Sequence, residues 1–454
     1  MMAEYGAADL NLGITEELSL FLADLKFENL PSDVVHECRR GIMDWVGCAL
    51  AGSNHATTDK LAGVLGSINP EGSSTVFGRR MKLGLLEAPI ANGQMGHVLD
   101  YDDTHMGGVI LHASGPVLAA MFALAEKRNL SGKDLMLGYV AGFEAGVRTG
   151  RGAPNHHDGG WHLTGTLGSI AAGAACSVML GLSAKQMVHT FGIAATQSAG
   201  MQQNRGTMCK SFQAGKAASN GLLAAMMAEQ DFDSSNEILE GSKGFCRIYS
   251  IHTDTDEILQ GLGDGYLIST NGYKPYACGV VLHPVIDTTI GLGKNSGIAP
   301  ENIKSIDIVA NAKAVTITGV ANPKTGLKSK FSITHSAAVG YIDGTAGRAQ
   351  FTNERALADD IRRLRQKVSV TTDDNLAADQ ARGTVTSTNG EIFEFITEHA
   401  TGTTDCPMSD KVMKEKFMAN AEPIVGEERA SKIYNMIWKL DEIRDVGDLL
   451  KLCG

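Results

Sequence analysis

Through the first 270 residues apolar side chains recur every three or four positions, the spacing of one helix face. Val34, Val35, Cys38, Ile42, Trp45, Val46 and Leu50 form such a stripe, which Gly52-Ser53 ends. The same pattern predicts helices over 117–127 and 132–147, the second started by Ser131-Gly132-Lys133-Asp134, and over 164–182, 185–200 and 214–229. After residue 270 the period changes. Lys304 to Val309 and Val368 to Val370 alternate as strands do, and Asn389-Gly390 between the arms of Thr384–Ile396 predicts a hairpin with a two-residue turn. The helical period returns over Ser409–Asn420 and Glu427–Leu440, expected to pack back on the first helices. The chain therefore reads as mainly α: a large all-helical domain over 1–270, completed by 406–454, and a smaller α+β domain over 271–405.

Composition sharpens this picture. At 454 residues the chain exceeds what one compact core serves. A formal charge of −11 leaves no basic patch for phosphates and excludes a nucleic-acid partner. Residues 163–184 and 106–125 carry almost no charge, but their Gly, Ala, Ser and Thr content, and His112 and Pro116, mark them as buried helices rather than membrane spans. Gly accounts for 53 residues, well above the usual share of about 7%, as close helix–helix approach would require. The eight cysteines stand singly, without Cys-x-x-Cys, which fits reduced thiols and a cytoplasmic setting better than disulfides or structural zinc. The start, Met-Met-Ala-Glu-Tyr-Gly, has no basic region followed by an apolar core, so no secretory signal is expected.

The densest chemistry lies in residues 97–112, with His97, Asp100, Asp102, Asp103, Thr104, His105 and His112. Asp100 to His105 offers oxygen and imidazole ligands for a metal, although consecutive Asp102 and Asp103 would point different ways on a helix. His162 follows Trp161 at the head of an uncharged helix, where the helix dipole disfavours imidazolium and leaves a neutral ring suited to proton transfer. Lys210 stands alone among small and apolar residues before the next small-residue helix, as a buried anion-binding lysine would. Lys274, Cys278 and His283 fall at the inferred domain boundary, a preferred place for ligand clefts. Gly261-Leu-Gly263-Asp-Gly265 follows no strand, and Gly215-Lys216 lacks the P-loop glycine spacing, so neither is a nucleotide site.

Taken in order, Gly96-His97-Val-Leu-Asp100-Tyr-Asp102-Asp103-Thr104, His112-Ala-Ser114-Gly-Pro116, Gly160-Trp161-His162, Gly206-Thr-Met-Cys-Lys210, Lys274-Pro-Tyr-Ala-Cys278 and Lys330-Phe331-Ser332 resemble the MmgE/PrpD family, which includes 2-methylcitrate dehydratase, cis-aconitate decarboxylase and iminodisuccinate epimerase. The resemblance implies a helical domain built from both chain ends, a smaller lid domain, a homodimer, and catalysis without metal or organic cofactor. It carries Asp100, Thr104, His112, His162, Lys210 and Lys274 to active-site positions, and the Thr104–His112 spacing with Tyr276-Ala277-Cys278-Gly279 looks closer to fungal cis-aconitate decarboxylases than to the dehydratases. Two positions depart from the family: Gln213 stands where many members have His, and His335 where several decarboxylases have Tyr.

The expected activity is a cofactor-independent lyase acting on a small di- or tricarboxylate, with no nucleic-acid or membrane partner. Lys210, Lys274 and Thr104 are expected to hold carboxylates, with Cys278 and His335 in the substrate pocket. His112 and His162 are expected to move the proton, with Asp100 orienting an imidazole or hydroxyl. Asp102, Asp103 and His105 are assigned supporting roles. An epimerase of a dicarboxylate in the same family, and a metal-dependent hydrolase built on Asp100–His105, are the alternative readings.

Overall fold

The computed structural model describes residues 12–69 and 71–454. Its first part runs through α1 (Ile14–Ala23), α2 (Ser32–Gly52), α3 (Ala56–Ile68), a short β1–β2 pair (Ser74–Thr75, Lys82–Leu83), α4 (Glu87–Val98), β3 (Thr104–His105), α5 (Ser114–Arg128), α6 (Gly132–Arg151), α7 (Leu163–Met179), α8 (Ala184–Ala195), α9 (Met208–Glu229), α10 (Phe245–Tyr249) and β4 (Asn271–Gly272). The start of α6 carries a reciprocal capping box between Ser131 and Asp134, and α8 repeats the device with Ser183 and Gln186. The uncharged stretches form α5 and α7, buried along most of their length. No helix among the described residues is long and apolar enough to cross a membrane.

The second part contains α11 (His283–Ser296), β5 (Ile303–Ala310), α12 (Ala312–Thr318), α13 (Gly326–Ser329), α14 (Ile333–Asp343), α15 (Asn353–Leu357), α16 (Asp359–Arg365), β6 (Val368–Thr372), β7 (Ala381–Ser387) and β8 (Ile392–Thr397). Its sheet has the order β6-β5-β7-β8, with β5 and β6 parallel and the other pairs antiparallel. A register shift between Ile303 and Ser305 lets Ile303 and Ile306 both enter the core despite their odd spacing. The β7–β8 connection is longer than the two-residue turn expected from Asn389-Gly390. Gly390 at φ +93° donates its N–H to the Ser387 carbonyl, and the Ser387 backbone N–H donates to the Glu391 carbonyl, closing a three-residue loop that ends in a left-handed glycine.

The chain ends with α17 (Asp410–Val425), α18 (Glu427–Trp438) and α19 (Gly447–Cys453). Met413, Phe417, Ile433, Ile437 and Leu450 join the hydrophobic core of the first helices, while a second core gathers residues 276–395 together with Cys48 and Tyr101. One buried ion pair ties the two chain ends together. Lys416 Nζ on α17 lies 2.6 Å from Asp44 Oδ1 on α2, and it donates to the Tyr101 carbonyl at 2.7 Å. Asp44 Oδ2 in turn accepts the Asp103 backbone N–H at 3.1 Å. The C-terminal helix thus braces the loop that follows α4.

Close helix crossings set where that loop lies. At the α4–α9 crossing, a Cβ on Gly93 would fall 2.7 Å from Gly215 Cα, and one on Gly215 would collide with the Ile90 carbonyl. Only glycine lets these two backbones approach so closely. Helix α9 begins at Met208, six residues before the start expected from periodicity, so Lys210 belongs to its first turn rather than to the loop before it.

Replacing Lys416 by Met should leave Asp44 buried without a counter-charge and cost roughly 3–5 kcal/mol, as for other broken buried pairs. The double variant Asp44→Asn/Lys416→Met should recover most of that loss. Chemical denaturation of the four proteins measures the coupling, and strictly additive losses would refute the pairing.

Candidate active site

The loop after α4 carries most of the site. His97 ends the helix, Leu99 caps it, and Asp100 then takes φ +50°, a left-handed conformation that Asp tolerates better than most residues. This turn reverses the chain and sends alternate side chains in different directions. Antiparallel pairing of β3 with β4 sets Thr104 opposite Gly272, and the chain beyond β4 brings Lys274 back beside Asp100.

Asp100 lies between two ammoniums. Lys274 Nζ is 2.5 Å from its Oδ1 and Lys210 Nζ is 2.8 Å from its Oδ2. Burial alone would raise the Asp100 pKa, but the Lys210 and Lys274 charges outweigh it and hold the carboxyl well below its usual range. Lys210 is pulled below its ordinary value by burial, a drop that Asp100 limits. Asp100 therefore charge-balances the lysines, and the structure shows it orienting neither an imidazole nor a hydroxyl.

Asp102 takes that place instead. Its Oδ2 accepts from His97 Nδ1 at 2.8 Å and lies 3.5 Å from His112 Nδ1. It is buried, yet the His97 and His112 rings keep it ionised far below its ordinary pKa. His112 Nδ1 is also 2.9 Å from the Asp103 carbonyl and 3.0 Å from Thr104 Oγ1. A carbonyl can only accept, so Nδ1 carries the hydrogen and His112 Nε2 keeps its lone pair. The three imidazoles form one cluster: His97 meets His112 edge-on at 4.7 Å and stacks on His162 at 5.6 Å, centroid to centroid.

His162 caps α7, where its backbone N–H donates to the Gly200 carbonyl at 3.1 Å. Its Nδ1 lies 2.6 Å from Gln213 Oε1, while Gln213 Nε2 donates to the Met201 carbonyl at 3.2 Å. That second bond fixes which Gln213 atom faces the ring, so His162 donates from Nδ1 and leaves Nε2 free. Lys210 and Gln213 are three residues apart on α9, so one helical face positions both Asp100 and His162. Burial and the nearest lysines, Lys274 for His112 and Lys210 for His162, push both imidazole pKa values well below 6.5. Both rings are thus neutral at pH 7.

Lys330 is a third buried cation, donating to the carbonyls of Leu99 and Ala277 at 2.6 Å each. Burial pushes it down to about 8, with Asp100 opposing the fall. Lys330 and Phe331 line a cavity with His97, Asp100, Lys210 and Gly206 whose free volume is about 10 Å³, room for a single water. A larger cavity, about 590 Å³, is lined by Met106, Gly107 and Ile110, and only His283 among its titratable lining groups is buried.

Of the expected site residues only Asp100 and Lys210 line the small cavity; Thr104, His112, His162 and Lys274 lie behind it, in contact with its lining residues or with one another. Cys278 is a buried thiol pushed up to about 12 by its burial and packed in the second core. His335 Nε2 is 2.8 Å from the Gln350 carbonyl, and the ring rests on Phe351, over which Lys330 sits. His105 bonds the Val109 carbonyl and Thr270, while Asp103 accepts from Ser114 at 2.6 Å and Asn271 at 2.5 Å. Burial, and next the charge of Asp44, push Asp103 up to about 8. Asp100, Asp103 and His105 thus face three different environments, so the Asp100–His105 run does not converge as a metal site. The ligand atoms that do converge within 4.8 Å belong to His97, Asp102 and His112 in the core, and to Asp379, His399 and Asp405 at the surface. His97 and Lys330 are the participants that sequence reasoning left without a role, and Asp102, expected only to support the site, contacts both His97 and His112.

Residues 16–258 match the MmgE/PrpD N-terminal domain family and residues 276–442 the MmgE/PrpD C-terminal domain family. The chain is similar to cis-aconitate decarboxylase of Aspergillus terreus, 27% identical over 481 residues that cover 98% of this chain and 97% of the relative. It is 27% identical to the cis-aconitate decarboxylase-like protein oryM of Aspergillus oryzae, over 97% of each chain. Mouse (Mus musculus) cis-aconitate decarboxylase is 24% identical across 97% of this chain and 93% of its own length.

Histidine-selective NMR across pH 4–9 should find two rings, assigned to His112 and His162 by loss of their signals in the Asn variants, that titrate below 6.5. Titration of both at or above 6.5 would contradict the burial and lysine fields described above.

Proposed function

The chain belongs to the MmgE/PrpD family, and from that premise we propose that it is a lyase that decarboxylates a small tricarboxylate of the cis-aconitate type without a cofactor. The observation that carries this reading is the pairing of a lysine-lined carboxylate cradle with two neutral histidines in one buried cluster. The relatives named as cis-aconitate decarboxylases align along nearly the whole chain and support the choice of reaction.

Loss of CO2 from such a substrate breaks one C–C bond and moves its electron pair into a new double bond. The old double bond shifts its electrons to the far alkene carbon, which takes one proton. The step therefore needs cations near the carboxylates and one acid near that carbon. Lys210, Lys274 and Lys330 supply more positive charge than Asp100 and Asp102 cancel, so the cradle favours a polyanion. Thr104, whose hydroxyl lies 3.0 Å from His112 Nδ1, helps to hold that ring.

The acid is His112 or His162. Each is neutral in the free protein, and an arriving polyanion offsets the lysine fields that keep it so. Substrate binding thereby promotes uptake of the proton that the reaction consumes. Asp102 stabilises the imidazolium at His112, whereas Gln213, which cannot ionise, holds the neutral His162 ring in one tautomer with Nε2 free.

His112→Ala and His162→Ala should each lower kcat by about 10²–10⁴-fold while the protein stays folded. An NMR time course with cis-aconitate in D2O should show itaconate carrying one deuterium at the newly formed CH2. Near-normal turnover in both variants, or water addition in place of CO2 release, would refute the proposal.

The required acid has a depressed pKa in the free protein. Its protonated fraction, and with it kcat/KM, should fall about tenfold per pH unit above 6.5. A profile that is flat or rising between pH 6.5 and 8 would exclude a histidine acid.

A further inference from the structure

A cleft of about 430 Å³ lies one backbone residue away from the small cavity. Gly206 lines the cavity above Asp100 and Lys210, and its neighbour Arg205 lines the cleft. Helix α12 of the second part of the chain also lines the cleft, with Lys313 and Ile317. Leu163, the residue after His162, forms part of the floor.

Two cations in this cleft lack an anionic partner. Among the described residues the ion pairs include neither Arg205 nor Lys313. The one polar contact of the Arg205 side chain is with His157, Nη2 to Nε2 at 3.2 Å. Because guanidinium can only donate, His157 Nε2 accepts and holds Arg205 in place as a neutral ring. The single carboxylate on the wall, Asp158, lies 3.9 Å from His157 Nδ1 and 3.3 Å from Asn155 Nδ2, and it is 70% exposed. A half-buried guanidinium aimed by a histidine, without a counter-ion, and sharing an open cleft with a lysine is a cradle for a carboxylate.

We propose that Arg205 and Lys313, with His157 as the positioning residue of Arg205, form a second anion subsite that takes the distal carboxylate of the substrate. This inference rests on the lyase reading above. A polycarboxylate would then span the Gly206 backbone, with one end on the Lys210–Lys274 cradle and the other on Arg205 and Lys313. Because Lys313 comes from the second part of the chain and Arg205 from the first, the same carboxylate would draw the two walls together. A ligand with one carboxylate fewer would leave this subsite empty, which makes it a determinant of tricarboxylate over dicarboxylate.

The test compares the wild-type protein with Arg205→Met and Lys313→Ala by titration calorimetry with tricarballylate, an unreactive tricarboxylate, and with succinate. Turnover of cis-aconitate is followed in parallel. Each substitution should weaken tricarballylate by roughly 10–100-fold, the worth of a hydrogen bond to a charged group, and leave succinate within about twofold. KM for cis-aconitate should rise with kcat much less affected. Lys313 is exposed, so its variant tests the subsite even if Arg205→Met fails to fold. Equal losses for both ligands, or no loss for tricarballylate, would overturn the subsite. If the wild type turned over no carboxylate yet showed this ligand pattern, the reaction would be wrong and the subsite right. Unchanged binding in variants of an active decarboxylase would give the converse.

Discussion

A carboxylate held between two ammoniums is the interaction on which the rest of this molecule depends. Lys274 is fully buried and Lys210 nearly so, and an isolated ammonium in such a place would cost several kcal/mol or lose its proton. Asp100 removes that penalty because each of its oxygens meets one lysine, at 2.5 and 2.8 Å. The three side chains come from the end of α4, the first turn of α9 and the segment after β4. Their meeting requires the glycine contact between α4 and α9 and the left-handed turn at Asp100. It also draws on the Asp44–Lys416 pair, which braces the same loop from the C-terminal helices.

That arrangement divides the acidic residues by function. Asp100 faces lysines, Asp102 faces histidines, and Asp103 turns to neutral donors beside Asp44. The three respond to their surroundings in different ways although they lie within four positions. Asp100 remains ionised because two lysines flank it and Asp102 because the His97 and His112 rings face it, whereas Asp103 holds its proton to about pH 8 because burial and a neighbouring carboxylate oppose ionisation. Consecutive acids in sequence therefore carry a cation cradle, a histidine clamp and a structural hydrogen-bond centre.

Much of the fold was legible from local rules. Ser131 and Ser183 mark helix starts through capping boxes, and the small-residue helices form the close crossings that the glycine content implies. The alternation in Ile303–Ala310 and Ala381–Ser387 marks strands. The partner choices within the site were not legible, because they depend on the sign of one φ angle. Helical geometry would place Asp102 and Asp103 on different faces, but the turn at Asp100 makes this stretch a loop and brings Asp102 to the imidazoles. Helix α9 starts early because Met208, Cys209 and Lys210 show no apolar period, although they complete its first turn. In the sequence His97 is one imidazole of the 97–112 run, and its place between His112 and His162 comes from contacts with distant segments.

Lys330 links the chemistry to the opening of the site. It bonds Leu99 at the end of α4 and Ala277 in the other part of the chain, so one ammonium joins the two segments. Both partners are neutral carbonyls, which leave its charge uncompensated, and burial lowers its pKa to about 8. An incoming carboxylate is a stronger acceptor than either carbonyl and can engage the third hydrogen of Lys330 or replace one of its bonds. A cavity with room for one water must widen to admit a polycarboxylate, and this widening has to part Leu327–Phe331 from Gly206–Ser211. The same anion that requires the opening also supplies the charge that Lys330 lacks.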